Sequence, residues 1–371
     1  MMRILKLAGL AVAVIVLFSI SFVYGASYYY TSQHGQGCAS CHEMAEFTGA
    51  VHTSAHRTTT CMDCHDASVA TKLRHIRVHV FGQAPESIHL RDVDVLAMGT
   101  RCQGCHQHEY AAWQAGPHSA TYAQIFADPV HNAKRRLADD CLRCHGMHFN
   151  GAVRDLVQPI NATGPWHVIR EFANAPAMPC LACHQIHREG PMQSKPAQRI
   201  SATAVPMWAT VGLFDRREQL HIGASQLPMP VLFDGSRPVR ISPDQRQAIC
   251  YQCHAPRRPE MGTPSAAIHA GPQIASGDDR TPVGVHEGIS CIACHNGHGE
   301  NAAASCKTCH PQMSNCGVDV EKMDTTFANA KSAHNVHWVR CTDCHQHGVP
   351  KPKIAAHTAA VASRGPTAGS E

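Results

Sequence analysis

The sequence predicts a mostly α and irregular chain, with one N-terminal transmembrane helix and short helices and loops elsewhere. Three observations lead there. An apolar run from Leu7 to Tyr24 is broken only by Gly and Ser. The chain of 371 residues holds 19 cysteines and 29 histidines but only 6% aromatic residues, too few for a conventional side-chain core of normal size. No alternation of apolar and polar residues persists long enough to mark a sheet.

The N-terminal run follows Arg3 and Lys6 and is succeeded by Tyr24, Tyr28, Tyr29 and Tyr30. Two readings compete. Val23 and Gly25 are small enough for cleavage of a secretory signal before Ala26. A run of this length also spans a bilayer, and tyrosines just beyond it suit the membrane interface, which favours an uncleaved anchor. Basic residues on the short side keep the N-terminus in the cytoplasm. The expectation is a protein on the bacterial inner (cytoplasmic) membrane whose remaining domains face the periplasm.

The cysteines carry the chemistry. Eighteen of the 19 fall into nine copies of Cys-x-x-Cys-His: Cys38/Cys41, Cys61/Cys64, Cys102/Cys105, Cys141/Cys144, Cys180/Cys183, Cys250/Cys253, Cys291/Cys294, Cys306/Cys309 and Cys341/Cys344. The closing histidines are His42, His65, His106, His145, His184, His254, His295, His310 and His345. Two thiols at this spacing each form a thioether to one haem vinyl group, and the adjacent histidine lies under the iron. A disulfide scaffold needs no histidine after each pair, and a zinc protein would not repeat it so regularly. The expectation is nine haem c groups, with the chain wrapped around a haem chain whose porphyrin faces form the core. The formal charge of +4 is then offset by haem propionates, and nucleic-acid binding is not expected.

Most motifs start about 40 residues apart, a loosely repeated unit. The interval from Cys180 to Cys250 is longer and rich in proline. The expected organisation is an anchor at 1–30, a five-haem domain at 31–190, a haem-free connection at 191–245, a four-haem domain at 246–347 and a disordered tail at 348–371. Helices are signalled over Glu109–Ala115, stopped by Gly116-Pro117, and over Ser119–Ala127, interrupted by Asp128-Pro129.

Each haem iron has a second axial position, and the histidines outside the motifs outnumber the motifs. His148, His187 and His298 each follow a motif histidine by three residues. His118, His131, His269, His286, His334 and His337 lie between motifs. The excess predicts bis-histidine irons, saturated and suited to electron transfer. Any one of these histidines could instead serve as an ordinary hydrogen-bonding side chain. Cys316 is left over, with a buried inert thiol as its simplest reading.

The N-terminal region runs Cys38-Ala-Ser-Cys41-His42-Glu43-Met44, then His56-Arg57 ahead of Cys61. This resembles the NapC/NirT/NrfH family of membrane-anchored quinol dehydrogenases over roughly the anchor and the first two motifs. The resemblance implies Met44 as a ligand of the haem nearest the membrane, although a methionine there also serves as a packing residue. It implies His56 as a ligand of the fourth haem. It also implies quinol binding near Lys72, Arg74 and His75. The function expected is electron transfer from membrane quinol to a periplasmic or extracellular redox partner, with quinol dehydrogenase activity as its enzymatic side. The alternative is a multihaem reductase or oxidase of nitrogen or sulfur oxyanions with one open haem. A chain lying in the lipid bilayer and feeding such a partner belongs to a respiratory chain.

Overall fold

The computed structural model describes residues 2–31, 37–39, 44–65, 68–82, 87–88, 92–133, 135–158, 163–187, 190–191, 211–234, 236–254, 280–299, 302–313 and 319–348. The apolar run forms helix α1 (Met2–Thr31), with no acidic residue in its first turn. At 1.5 Å per residue it exceeds the ~30 Å hydrocarbon thickness of a bilayer. The stretch Arg3–Tyr29 has a mean hydropathy of 2.5, and its most apolar window has no buried residue. Length and composition thus allow a membrane span, and a signal sequence passes the same test.

Helix α2 (Ala45–Thr53) leads to the Cys61 motif, and α3 (Val69–Phe81) follows it. Ser68 caps α3 by accepting the Thr71 backbone N–H at 3.2 Å, which satisfies one of the donors a helix start leaves open. Lys72 on α3 donates from Nζ to Ser27 Oγ at 2.8 Å and to the Ser27 carbonyl at 3.3 Å, tying α3 to the end of α1.

Helices α4 (Asp92–Cys105) and α5 (Gln107–Ala115) flank His106, with Asp92 and Asp94 in the first turn of α4 favourable to its dipole. Gly116 ends α5, and its backbone lies against Gly299 so closely that a Cβ there would come 2.8 Å from the Gly299 Cα. Gly299 itself has φ +96, so both positions require glycine. Next, Thr121 and Gln124 form a reciprocal cap on α6 (Tyr122–Phe126). Asp128 accepts from the backbone N–H of Val130 and His131, each at 2.8 Å, to start the Pro129–Asn132 turn.

Strands occur as antiparallel pairs: β1 (Ser87–Ile88) with β2 (Gly190–Pro191), β3 (Gly212–Asp215) with β4 (Leu220–Gly223), and β5 (Phe233–Asp234) with β6 (Arg237–Pro238). The β3–β4 hairpin pairs Phe214 with His221 and buries all four residues of β3.

Two compact units divide the chain. The first comprises Met1–Val231, Pro243–Asp279 and Asn296–Glu300; the second comprises Leu232–Ser242, Arg280–His295 and Asn301–Glu371. The first contains three clusters of buried side chains. Tyr122, Phe126, Leu142, Phe149, Leu156 and Trp166 anchor the largest. A second gathers Met147, Leu213, Phe214 and Leu227, and a third Val95, Met98 and Leu181. In the second unit, the Glu287 carboxylate accepts from Arg237 Nη1 and the Arg240 backbone N–H, both at 2.8 Å. Arg340 donates to Asp234 at 2.8 Å.

These clusters correct the expected fold class. The helical and irregular character holds, but the chain is not wrapped around haems in place of a core. Low aromatic content misled, because a few large residues converge on one place: most of the largest cluster comes from a continuous stretch, Tyr122 to Ala177. Burial there contributes roughly 1.5–3 kcal/mol per large apolar side chain.

Candidate functional site

The local fold of the motifs repeats. Cys61–Cys64, Cys291–Cys294 and Cys341–Cys344 are single helical turns. In each, the histidine N–H donates to the carbonyl of the first cysteine at 2.8 Å: His65 to Cys61, His295 to Cys291, His345 to Cys341. His106 and His310 do the same to Cys102 and Cys306 at 2.8 Å, and His184 to Cys180 at 3.0 Å. One turn of helix puts the first cysteine and the histidine, four apart, on the same face. The sequence spacing is thus realised as a rigid three-point holder.

The cysteines differ in exposure. Cys309 is exposed, with Sγ 3.8 Å from Thr308 Oγ1. The reason is local. The helical turn Ala303–Cys306 has ended before Cys309, and residues 307–309 of the turn that follows all face solvent. The Cys309 carbonyl accepts the Met313 N–H at 2.7 Å, which continues that surface turn. Cys105, Cys294, Cys341 and Cys344 are exposed as well, whereas Cys38, Cys250 and Cys291 are half-buried. The reading of Cys309 as a thioether anchor therefore rests on its motif and not on its surroundings.

Six motif histidines each meet a histidine from outside the motifs. Ring centroids lie 5.8 Å apart for His65 and His187, 6.0 Å for His106 and His56, and 6.4 Å for His254 and His118. His184 and His298 are 5.8 Å apart with rings 6° from parallel. In the second unit, His295 and His337 are 5.9 Å apart and 1° from parallel, and His310 and His286 are 6.3 Å apart. These separations exceed ring contact: His148 lies on Phe214 at 4.1 Å, a true stack.

Two of the non-motif rings are oriented by backbone or side-chain oxygens. His286 Nδ1 is 2.8 Å from the Val336 carbonyl, and His337 Nδ1 is 3.0 Å from Asn335 Oδ1. Such a partner fixes the Nδ1–H tautomer and turns the Nε2 lone pair outward as a ligand. Electrostatics favour the neutral, ligating form elsewhere too. Burial, then the neighbouring His298, lowers the pKa of His184. Burial brings His145 down to about 4, with His131 the next contributor.

The other predicted residues fall as follows. His131 lies within electrostatic reach of His145. His148 is spent on Phe214, with Nε2 buried and unpartnered, and burial lowers its pKa to about 4. The His334 backbone carbonyl accepts from Thr326 N–H at 2.9 Å. Met44 caps α2, its carbonyl accepting from Thr48 Oγ1 at 3.0 Å. Lys72 is held by Ser27, beside a small apolar pocket formed by Phe22, Val23, Val69 and Leu73. Arg74 is exposed, and His75 lies on α3. Cys41, His42, His269 and Cys316 lie outside the described residues. His56 meets the third motif's histidine, His106.

His221 was not foreseen. It sits on β4 within electrostatic reach of His184 and His148, with Nε2 buried and unpartnered, and burial takes its pKa to about 4. The apolar pair Leu220 and Ile222 around it was the only signal, and it lay in a stretch read as irregular connection.

Cysteines of different motifs also meet. The side chains of Cys102 and Cys180 lie close enough to shift each other's ionisation, as do those of Cys144 and Cys253. The holders of the third and fifth motifs are therefore neighbours, and so are those of the fourth and sixth.

Residues 101–162 match the family model for cytochrome c554 and c-prime. No curated protein and no solved structure matches the chain. The match corrects the resemblance to the NapC/NirT/NrfH family: it falls on the third and fourth motifs, not on the anchor and first two. The expectation of a quinol-fed relay of nine haems is corrected with it, since the matched segment holds two motifs. Among the described residues no group of three or more His, Cys, Asp or Glu converges to hold a metal ion. The count of nine haem c groups, and the nine-haem relay built on it, therefore rested on motif counting alone and is set aside.

Proposed function

We propose that this chain is a c-type cytochrome that carries single electrons, with haem held by the segment 101–162. The observation that supports this is the Cys102–His106 motif inside the matched segment. It closes as a helical turn, and its histidine stands 6.0 Å from a second imidazole. Histidines opposed in pairs, with no third side chain converging among the described residues, suit a planar group that brings its own four equatorial ligands. Haem supplies a reversible one-electron iron couple.

The chain's own residues do the rest. Cys102 and Cys105 anchor the group on one edge, and Cys141 and Cys144 provide the second such anchor. His106 and His145 would each hold a haem iron through a ring nitrogen. The Tyr122–Trp166 cluster packs around Cys141 and the Val95–Met98–Leu181 cluster around Cys102, so each holder rests on its own packed group. Helix α1 tethers the protein to a lipid bilayer at the inner membrane, with the rest in the periplasm, where it meets a redox partner protein.

Haem staining of a denaturing gel tests the reading. The wild type retains covalent haem, and Cys102→Ser/Cys105→Ser loses one haem's mass by intact mass spectrometry. A wild-type chain with no covalent haem refutes it.

A further inference from the structure

We infer that the six facing histidine pairs are six axial clamps, each holding one haem iron between a motif histidine and a ligand from elsewhere in the chain. The inference rests on the haem reading and adds the ligand assignment: His187 for His65, His56 for His106, His298 for His184, His118 for His254, His337 for His295 and His286 for His310.

Distance decides it. Metal–imidazole bonds run about 2 Å, so two imidazoles in line across one metal place their centroids about 6 Å apart. All six pairs lie between 5.8 and 6.4 Å. Packed rings would close further, as His148 and Phe214 do at 4.1 Å. Ring tilt does not distinguish the pairs, because rotation about the ligand axis leaves the separation unchanged; the tilts run from 1° to 84°.

Composition of the pairs is the second argument. Each joins one motif histidine to one non-motif histidine, and none joins two of the same kind. Random crowding of histidines would mix them. The orienting contacts at His286 and His337 are a third argument, since they secure ligands that no cysteine holds in place.

The glycine contact explains how two clamps close together. Gly116 and Gly299 bring their backbones together next to His118 and His298, and only the absence of side chains permits that approach. The two ligands thereby reach His254 and His184 from a single crossing.

The test is low-temperature EPR of the oxidised full-length holoprotein in detergent, with haem content measured on the same sample. His298→Ala is expected to keep its covalent haem, lose one low-spin component and gain one high-spin component. Added imidazole restores the low-spin signal. His337→Ala gives the same result in the second unit and stands if the first variant fails to fold. His167→Ala, an exposed histidine in no pair, leaves the spectrum unchanged. Haem-loaded His298→Ala and His337→Ala proteins with wild-type spectra overturn the pairing. A wild type without covalent haem instead overturns the proposed function.

Discussion

Replacing Asp215 by alanine should destabilise the first unit by about 3 kcal/mol, the low end of the range for breaking a buried ion pair. Asp215 Oδ2 lies 3.7 Å from Arg143 Nη2, with side chains only 9% and 7% exposed. Arg143 Nη1 is already buried without a partner, so removing the carboxylate leaves a buried guanidinium with only Asp140, which also hydrogen-bonds Arg217, as counter-charge. The separation is long for a charge-assisted bond, which places the loss at the lower end. Asp215 Oδ1 also accepts the backbone N–H of Arg217 at 2.8 Å and of Glu218 at 3.2 Å. That turn faces solvent, and water replaces much of what is lost there. The informative comparison is Arg143→Met with Asp215→Asn. Asparagine keeps the acceptor for the turn, methionine keeps the stem volume of Arg143, and no charge is left buried. This double variant should lie within about 1 kcal/mol of wild type. Urea unfolding of the holoprotein, followed by far-ultraviolet circular dichroism and by the haem absorption band, measures both. With a slope of about 2 kcal/mol per molar, Asp215→Ala shifts the midpoint by about 1.5 M. A double variant as unstable as the single one would refute the reasoning, since the cost would then lie in shape or in the turn.

Leu156 is fully buried in the largest cluster, so Leu156→Ala should cost about 2–5 kcal/mol by the same denaturation, with covalent haem content unchanged. The N-terminus of the mature protein separates the two readings of α1. An anchor gives an intact mass that includes Met2–Thr31 and a protein that stays with membranes after carbonate washing. A cleaved signal gives a soluble chain beginning near Ala26.

Much of the candidate site was legible because thioether chemistry fixes the spacing of its residues. Cys102, Cys105 and His106 are neighbours in the chain, and one helical turn carries their register from sequence into space. The opposing ligands were legible only as a population. His148, His187 and His298 share the same offset from a motif histidine, yet His187 goes to His65, His298 goes to His184, and His148 packs on Phe214. Nothing local distinguishes them; the crossing of distant segments does. The cores were hidden for a similar reason. Composition averages over the chain, whereas Phe126, Leu142 and Trp166 work by meeting at one point. The β3–β4 hairpin went unread because four-residue strands are too short for alternation to register.

The pairs fall into two kinds by direction along the chain. His106, His254 and His310 look back to ligands already made, at His56, His118 and His286. His65, His184 and His295 look forward to His187, His298 and His337. For a polypeptide emerging N-terminus first, the backward-looking sites can close as soon as their own motif appears. The forward-looking ones wait, open on one side, until a later segment arrives. Closing the longer loops costs little more, since doubling a loop adds only about 0.6 kcal/mol. The delay is one of timing rather than of energy. On the clamp assignment maturation is staggered, and a chain truncated after His295 but before His337 would carry His295 with its far side still waiting.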